Sequence, residues 1–305
     1  MSDPKILLQQ IIAGERHALA RAITIVENEL EGSSELLKSL DLQKAAPIVG
    51  ITGPPGAGKS TLISSLISHL TSQGKKVAVI AVDPTSPFNF GSLLGDRLRM
   101  SEHFTNPNVF IRSLATRGSL GGLSAKTIEV SDVVRAAGFD LVIIETVGVG
   151  QSEVEIAGLA DTTVLVLVPE SGDEVQALKS GIMEIADIYV VNKSDRDGAN
   201  TFVKNLLALA HPREGSNWIP RIIKTIATKK EGAEELYATI LAHQEEAITN
   251  SRKAYLFSEK AWRLIQQART KDLNKEDLRI QIANEILGGT FQLYIFVEVF
   301  IKKKD

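Results

Sequence analysis

The run GPPGAGKST, Gly53 to Thr61, sets glycines, a lysine and a hydroxyl at the spacing G-x-x-x-x-G-K-[ST]. Glycine frees the backbone, so successive N–H groups from Gly53 through Pro54, Pro55, Gly56, Ala57 and Gly58 can converge on phosphate oxygens where proline does not intervene. The helix expected from LISSLISHL, just downstream, adds the positive end of its dipole. Lys59 then reaches the β- and γ-phosphates, the Ser60 hydroxyl ligates Mg2+, and Thr61 closes the motif. A glycine-rich turn that binds nothing is the plain alternative. The strand-like IVGIT before the loop and the helical run after it favour the phosphate loop.

Two further groups extend this chemistry. NKSD places Asn192, Lys193 and Asp195 at the end of the run DIYVVNK. A carboxylate at Asp195 can accept from both N1–H and N2–H of guanine, a pair adenine does not offer, so losing it would leave polar groups unpaired. Downstream, Thr225, Ile226 and Ala227 end PRIIKTIA, where backbone contact to the guanine oxygen is expected. Glu145 ends the run DLVIIET and is the acid expected to hold Mg2+ through water, and Gly148 is placed to sense a γ-phosphate through its N–H. A solvated strand-end glutamate is the alternative at Glu145.

Other acids fall on connections. Asp83 begins DPTSPF and Asp96 lies in GSLLGDRLRM, within a connection over 84–108 that is long for a compact domain. Either could bind Mg2+ or orient the attacking water; a turn-forming aspartate is the alternative for each. PESGDEVQALKSG (169–181) offers Asp173 and Lys179 at a loop-to-helix entry. They read as a helix cap with an exposed lysine, or as a second mobile loop.

These residues need a scaffold that gathers strand ends. Residues 5–44 have helical character, and Pro47 ends it. From 48 to about 227, β-branched runs alternate with helical stretches: 48–52, 76–83, 109–114, 140–146, 162–169, 187–193 and 220–227. Several are apolar on both faces, as parallel strands covered on both sides must be. The expected fold is α/β, a doubly wound, mainly parallel sheet of the P-loop NTPase kind, with an N-terminal helical arm (1–46), a nucleotide-binding domain (47–230) and a C-terminal helical extension (231–305).

Composition narrows the function. The 305 residues carry 34 Lys plus Arg against 37 Asp plus Glu, a net charge of −3, which speaks against a nucleic-acid coat. With no cysteine and five scattered histidines, disulfides, iron–sulfur clusters and a zinc centre are not expected. No targeting segment is read at the N-terminus, and the apolar run 77–82 is far below the roughly 18 residues of a membrane span. The end FQLYIFVEVFIKKKD reads as a terminal helix packed on the body or on a second copy, in preference to a membrane-surface helix, because Glu298 interrupts its stripe. A cytoplasmic protein is expected.

In chain order, GPPGAGKST, VDPTSPF, GDRLRM, IIETVGVGQSE, PESGDEVQALKSGI and NKSD resemble the MeaB/ArgK-type P-loop GTPases, the methylmalonyl-CoA mutase-associated GTPases, over roughly residues 5–270. The resemblance implies a homodimeric GTPase of the SIMIBI class, with GTP and GDP as substrate and product and Mg2+ as cofactor. It implies as partner an adenosylcobalamin-dependent acyl-CoA mutase, whose cofactor loading the GTPase gates and which it protects. By motif it implies Asp83, Asp96 and Glu145 as metal and switch acids, with Asp173 and Lys179 on an additional switch loop that communicates with the mutase. Terminal helices are implied to serve dimerisation and partner contact. The chain departs from the family at its end, EILGGTFQLYIFVEVFIKKKD, where many members carry a Ser-Pro and small residues.

Hydrolysis by such a site is positioning and charge neutralisation, with Arg97, Arg99 and Arg117 as candidate arginine fingers and slow intrinsic turnover that a partner accelerates. Three rivals are a nucleotide-dependent kinase linked to amino-acid transport, a nickel-insertion GTPase, and a nucleotide-binding module without turnover. NKSD opposes the first as an ATP enzyme, and the lack of cysteine and of a histidine cluster opposes the second.

Overall fold

A computed structural model of the protein describes residues 4–83, 100–115, 125–146, 155–171, 182–211, 218–246 and 250–302. Each of the seven apolar runs contains a strand: β1 (Ile48–Thr52), β2 (Val77–Asp83), β3 (Val109–Ala115), β4 (Leu141–Glu145), β5 (Thr162–Leu167), β6 (Ile188–Val191) and β7 (Arg221–Lys224). They form one sheet in the order β3-β2-β4-β1-β5-β6-β7, with every neighbouring pair parallel. β1 is central, flanked by β4 and β5. At such a point the strand order turns from one side of the sheet to the other, and ligands of open α/β sheets bind at the carboxyl ends there.

The continuous apolar runs reflect burial on both faces, and side chains along each strand alternate between two cores. Ile48, Ile80, Val82, Val142 and Ile144 face one; Val49, Ile51, Val79, Ile143, Val164 and Ile188 face the other. The helix α4 (Lys59–Ser72) covers the second face through Leu62, Ile63, Leu66, Ile67 and Leu70, each fully buried. Beyond β1, Leu165, Leu167, Tyr189 and Val191 pack with Phe202 and Leu206 of α7 (Ala199–Leu209). Other helices of this part are α5 (Ala125–Arg135), α6 (Ile182–Ile185) and α8 (Ala233–Glu246).

The N-terminal arm is three helices where periodicity alone predicts a longer run: α1 (Pro4–Ile12), α2 (Arg16–Glu27) and α3 (Ser33–Ser39). Breaks fall at Gly14 and Gly32, with φ of 85° and 88°, a left-handed backbone that ends a helix. The arm shares one core with the sheet through Leu7, Ile11, Leu19, Ile23 and Val26. It also bonds to β3: Arg16 donates to the Val109 carbonyl at 2.7 Å, and Arg112 meets Glu27 at 3.1 Å.

The chain divides into two compact units, Met1–Lys260 and Ala261–Asp305. In the first, Lys260 of α9 (Asn250–Thr270) is almost fully buried and lies 3.5 Å from Asp132 of α5. Burial is the main influence on both, pushing the Lys260 ammonium down and the Asp132 carboxyl up from their ordinary values. The second unit holds the rest of α9, then α10 (Lys275–Leu287) and α11 (Leu293–Lys302), with Phe296 buried between Phe291 and Phe300. Among the described residues, no helix is long and apolar enough to cross a membrane.

β1 carries the glycine loop, so its seating positions the site. At Gly50 an added Cβ would lie 2.3 Å from Cγ1 of Ile156 and 3.0 Å from the Ala160 Cβ. Gly50→Ala is therefore expected to lower stability by about 1–3 kcal/mol, read as an earlier urea midpoint at unchanged slope. An unchanged midpoint would mean that β1 and Ile156 do not meet.

Candidate nucleotide site

Between Thr52 and Lys59 the chain turns through Gly53, Gly56 and Gly58, all at positive φ (139°, 78° and 87°). At two of them space as well as backbone demands glycine. A Cβ on Gly53 would sit 2.1 Å from the Val166 carbonyl oxygen of β5, and one on Gly58 would sit 2.5 Å from Nδ2 of Asn192. Pro55 and Gly56 are exposed, Pro54 and Gly58 half-buried, and Ala57 fully buried. The loop thus passes over the ends of β5 and β6 and leads into α4, whose first-turn amides lack carbonyl partners within the helix.

Lys59 is 7% exposed, and its ammonium donates to the carbonyls of Gly53 (2.8 Å) and Pro54 (3.2 Å). A buried cation held by backbone dipoles is poised to exchange those partners for phosphate oxygens. Ser60 donates its hydroxyl to Oε1 of Glu145 at 2.8 Å, with both residues buried. Thr146 donates to the Thr52 hydroxyl at 3.0 Å, joining the ends of β4 and β1. Thr61, next on the helix, is half-buried.

Ser60 and Glu145 together offer hard oxygen donors, the set that suits Mg2+. Among the described residues no group of three or more His, Asp or Glu side chains gathers into a metal cage. Asp83 closes β2 two positions beyond the Ala81–Glu145 pairing, at the same rim of the sheet.

The second group assembles on Asn192, which is 2% exposed. Its Nδ2 donates to the Ala57 carbonyl (2.9 Å), while its Oδ1 accepts from the Thr225 hydroxyl (3.0 Å) and the Ala227 amide (3.2 Å). Ser194 N donates to the Thr225 carbonyl at 3.1 Å. Lys193, at φ 54°, sends its ammonium to the Gly56 carbonyl at 2.8 Å. Asp195 is exposed, Ile226 half-buried, and Thr225 and Ala227 buried. The glycine loop, NKSD and the segment after β7 are therefore one hydrogen-bonded rim.

Sequence reasoning marked Asn192 but not its role as a tie between segments, and it passed over Arg196. The Arg196 guanidinium pairs with Glu170, holding that carboxyl below the usual range, chiefly through its hydrogen bond. Asp96, Arg97, Arg99, Arg117, Gly148, Asp173 and Lys179 lie outside the described residues.

Asn192→Ala would strand a buried carbonyl, hydroxyl and amide at once. It is expected to weaken GDP binding by about 100-fold, as each lost partner costs about 1–3 kcal/mol. Titration calorimetry checks this, and undiminished affinity would sever the rim from nucleotide binding.

A family profile described as methylmalonyl-CoA mutase-associated GTPase MeaB matches residues 19–280. A Pyrococcus horikoshii protein provisionally named a GTPase is 48% identical over 270 residues, 87% of this chain and 82% of that one. The mouse protein named methylmalonic aciduria type A homolog, mitochondrial, is 39% identical over 264 residues, 80% of this chain and 64% of that one. The crystal structure of a LAO/AO transport system kinase superimposes with a TM-score of 0.70 at 28% identity, covering 98% of this chain and 96% of that one. With its parallel sheet, glycine loop and profile match, the chain belongs to the methylmalonyl-CoA mutase-associated GTPase family, MeaB, and hydrolyses GTP.

Proposed function

We propose that this GTPase serves an adenosylcobalamin-dependent acyl-CoA mutase, methylmalonyl-CoA mutase above all, by gating cofactor loading and protecting the loaded enzyme. The observation that carries this reading is the family match over residues 19–280, since that family is described by its association with this mutase. The name of the mouse relative, which refers to methylmalonic aciduria, points the same way.

In this reading Lys59 and the loop amides hold the β- and γ-phosphates, and Ser60 and Glu145 hold Mg2+, with Asp83 and Asp96 as further metal or switch acids. Bound there, Mg2+ would neutralise phosphate charge. Asp195 accepts from guanine N1–H and N2–H, the Thr225–Ala227 backbone faces the guanine oxygen, and Gly148 senses the γ-phosphate. Water attacks the γ-phosphorus, the bond to the β–γ bridging oxygen breaks, and GDP and phosphate leave. Asp173 and Lys179 carry the nucleotide state to the mutase, in the cytoplasm, with no nucleic acid or membrane involved.

A second copy of the chain completes the functional unit. In the unit Ala261–Asp305, large apolar side chains stand in solvent: Leu287 is 87% exposed, Tyr294 79%, Ile295 64% and Trp262 59%. A monomer rarely leaves so much apolar surface uncovered on so small a unit, and a homodimer interface would bury it.

The test is GTP turnover with and without purified methylmalonyl-CoA mutase. Slow intrinsic hydrolysis should rise at least about 10-fold when the mutase is bound. Turnover indifferent to the mutase would retain the GTPase and remove the mutase from its function.

A further inference from the structure

Three serines recur along one stripe of α4 at i, i+4 and i+8, and each is held by a different part of the chain. Ser60, in the first turn, donates to Glu145 of β4. Ser64, one turn on and 6% exposed, donates to Oε1 of Glu102 at 2.6 Å. Ser68 bonds the Lys230 ammonium at 3.0 Å, and Lys230 directly follows the turn Ala227–Lys229.

The middle contact contains a buried group that the phosphate chemistry does not use. His103 is 5% exposed and ends the short 3-10 turn Ser101–His103, which follows fully buried Met100. Its Nε2 lies 3.1 Å from the Ser64 carbonyl oxygen and 2.9 Å from the Ser64 hydroxyl. A carbonyl only accepts, so Nε2 carries the proton and donates, which leaves the Ser64 hydroxyl to donate to Glu102. Two hydrogen bonds in a consistent direction thus pin residues 102 and 103 to the second turn of α4.

We propose that His103 is a positioning residue for GTP hydrolysis, acting through Ser64 to fix the helix whose first turn presents Lys59 and Ser60 to the phosphates. Displacement of a catalytic group by a fraction of an ångström is enough to slow an enzyme, so a clamp one turn from Ser60 bears on rate more than on affinity. The inference rests on GTP hydrolysis alone and on no partner.

Protonation adds a charge at Nδ1 and leaves the Nε2–H donor in place, so pH acts on the burial of the ring and not on the hydrogen bonds of the clamp. Burial, first, pushes the His103 imidazole down from its ordinary value; Glu102 and the Ser64 carbonyl pull it back, and Lys230 adds to the depression. Those are the groups that face it: Glu102 on its own turn, Ser64 on α4, and Lys230 beyond α4. With a folded value below the unfolded one, the contribution of His103 is present above the ordinary histidine value and is lost as pH falls from there through the folded value.

The experiment compares wild type with His103→Leu, His103→Gln and Ser64→Ala, measuring GTP turnover, GDP affinity by titration and the urea midpoint against pH. His103→Leu and Ser64→Ala should lower kcat about 10-fold and leave the GDP Kd within about 2-fold, while His103→Gln, still a neutral donor, recovers most of the rate. The wild-type urea midpoint should fall on the acid side as the buried ring gains its proton, and His103→Gln should lack that fall. Unchanged kcat in Ser64→Ala, a Kd weakened in proportion to kcat, or no recovery of rate in His103→Gln would each overturn the proposal. Should His103→Leu not fold, Ser64→Ala carries the same readouts.

Discussion

Asn192 is buried against the glycine loop, its carboxamide donating to the Ala57 carbonyl and accepting from the Thr225 hydroxyl and the Ala227 amide. Its position joins three segments that reach the rim from different strands: the loop after β1, the loop after β6 and the segment after β7. The order β1-β5-β6-β7 puts those ends along one edge of the sheet, with β5 between the first and the second, and one buried side chain spans that gap. Gly58 has no Cβ because this carboxamide occupies the space a Cβ would need. The glycine loop and the NKSD segment, proposed to hold phosphate and base, therefore share one structural element, and neither can move far without the other.

The opposite flank of the site depends on α4. Its apolar stripe, Leu62 to Leu70, seats it on the sheet, while its serine stripe ties it at three heights to β4, to residues 102–103 and to Lys230. Burial fixes where the helix lies, and the hydrogen bonds fix its rotation and depth. Depth matters for the proposed chemistry, in which Lys59 and Ser60 act over hydrogen-bond distances. The first-turn dipole and the Lys59 ammonium then place positive charge where phosphate is expected.

The strands were legible because β-branched runs bounded by helical stretches carry a local signal, and burial on both faces made that signal strong. The glycine loop was legible for a similar reason: Gly53, Gly56 and Gly58 mark positions where the backbone needs positive φ. The three-way break of the N-terminal arm was less so, since Gly14 and Gly32 were outweighed by apolar periodicity on either side. What stayed hidden is long-range. Asn192 and Ala57 are 135 residues apart, and Ser64 and His103 are 39 apart. No spacing rule connects such positions, and a lone buried histidine is not distinguishable from a surface one in a single sequence. The pairing of Arg196 with Glu170 was hidden in the same way.

One rigid rim is proposed to hold both phosphate and guanine. Calorimetric titration of the whole protein with GDP and with ADP, each in Mg2+, tests it most directly. GDP should bind and ADP should bind at least about 100-fold more weakly, because a site built to pair with guanine leaves polar groups unsatisfied against adenine. Equal binding of ADP would contradict it, leaving a phosphate loop with no base reader beside it.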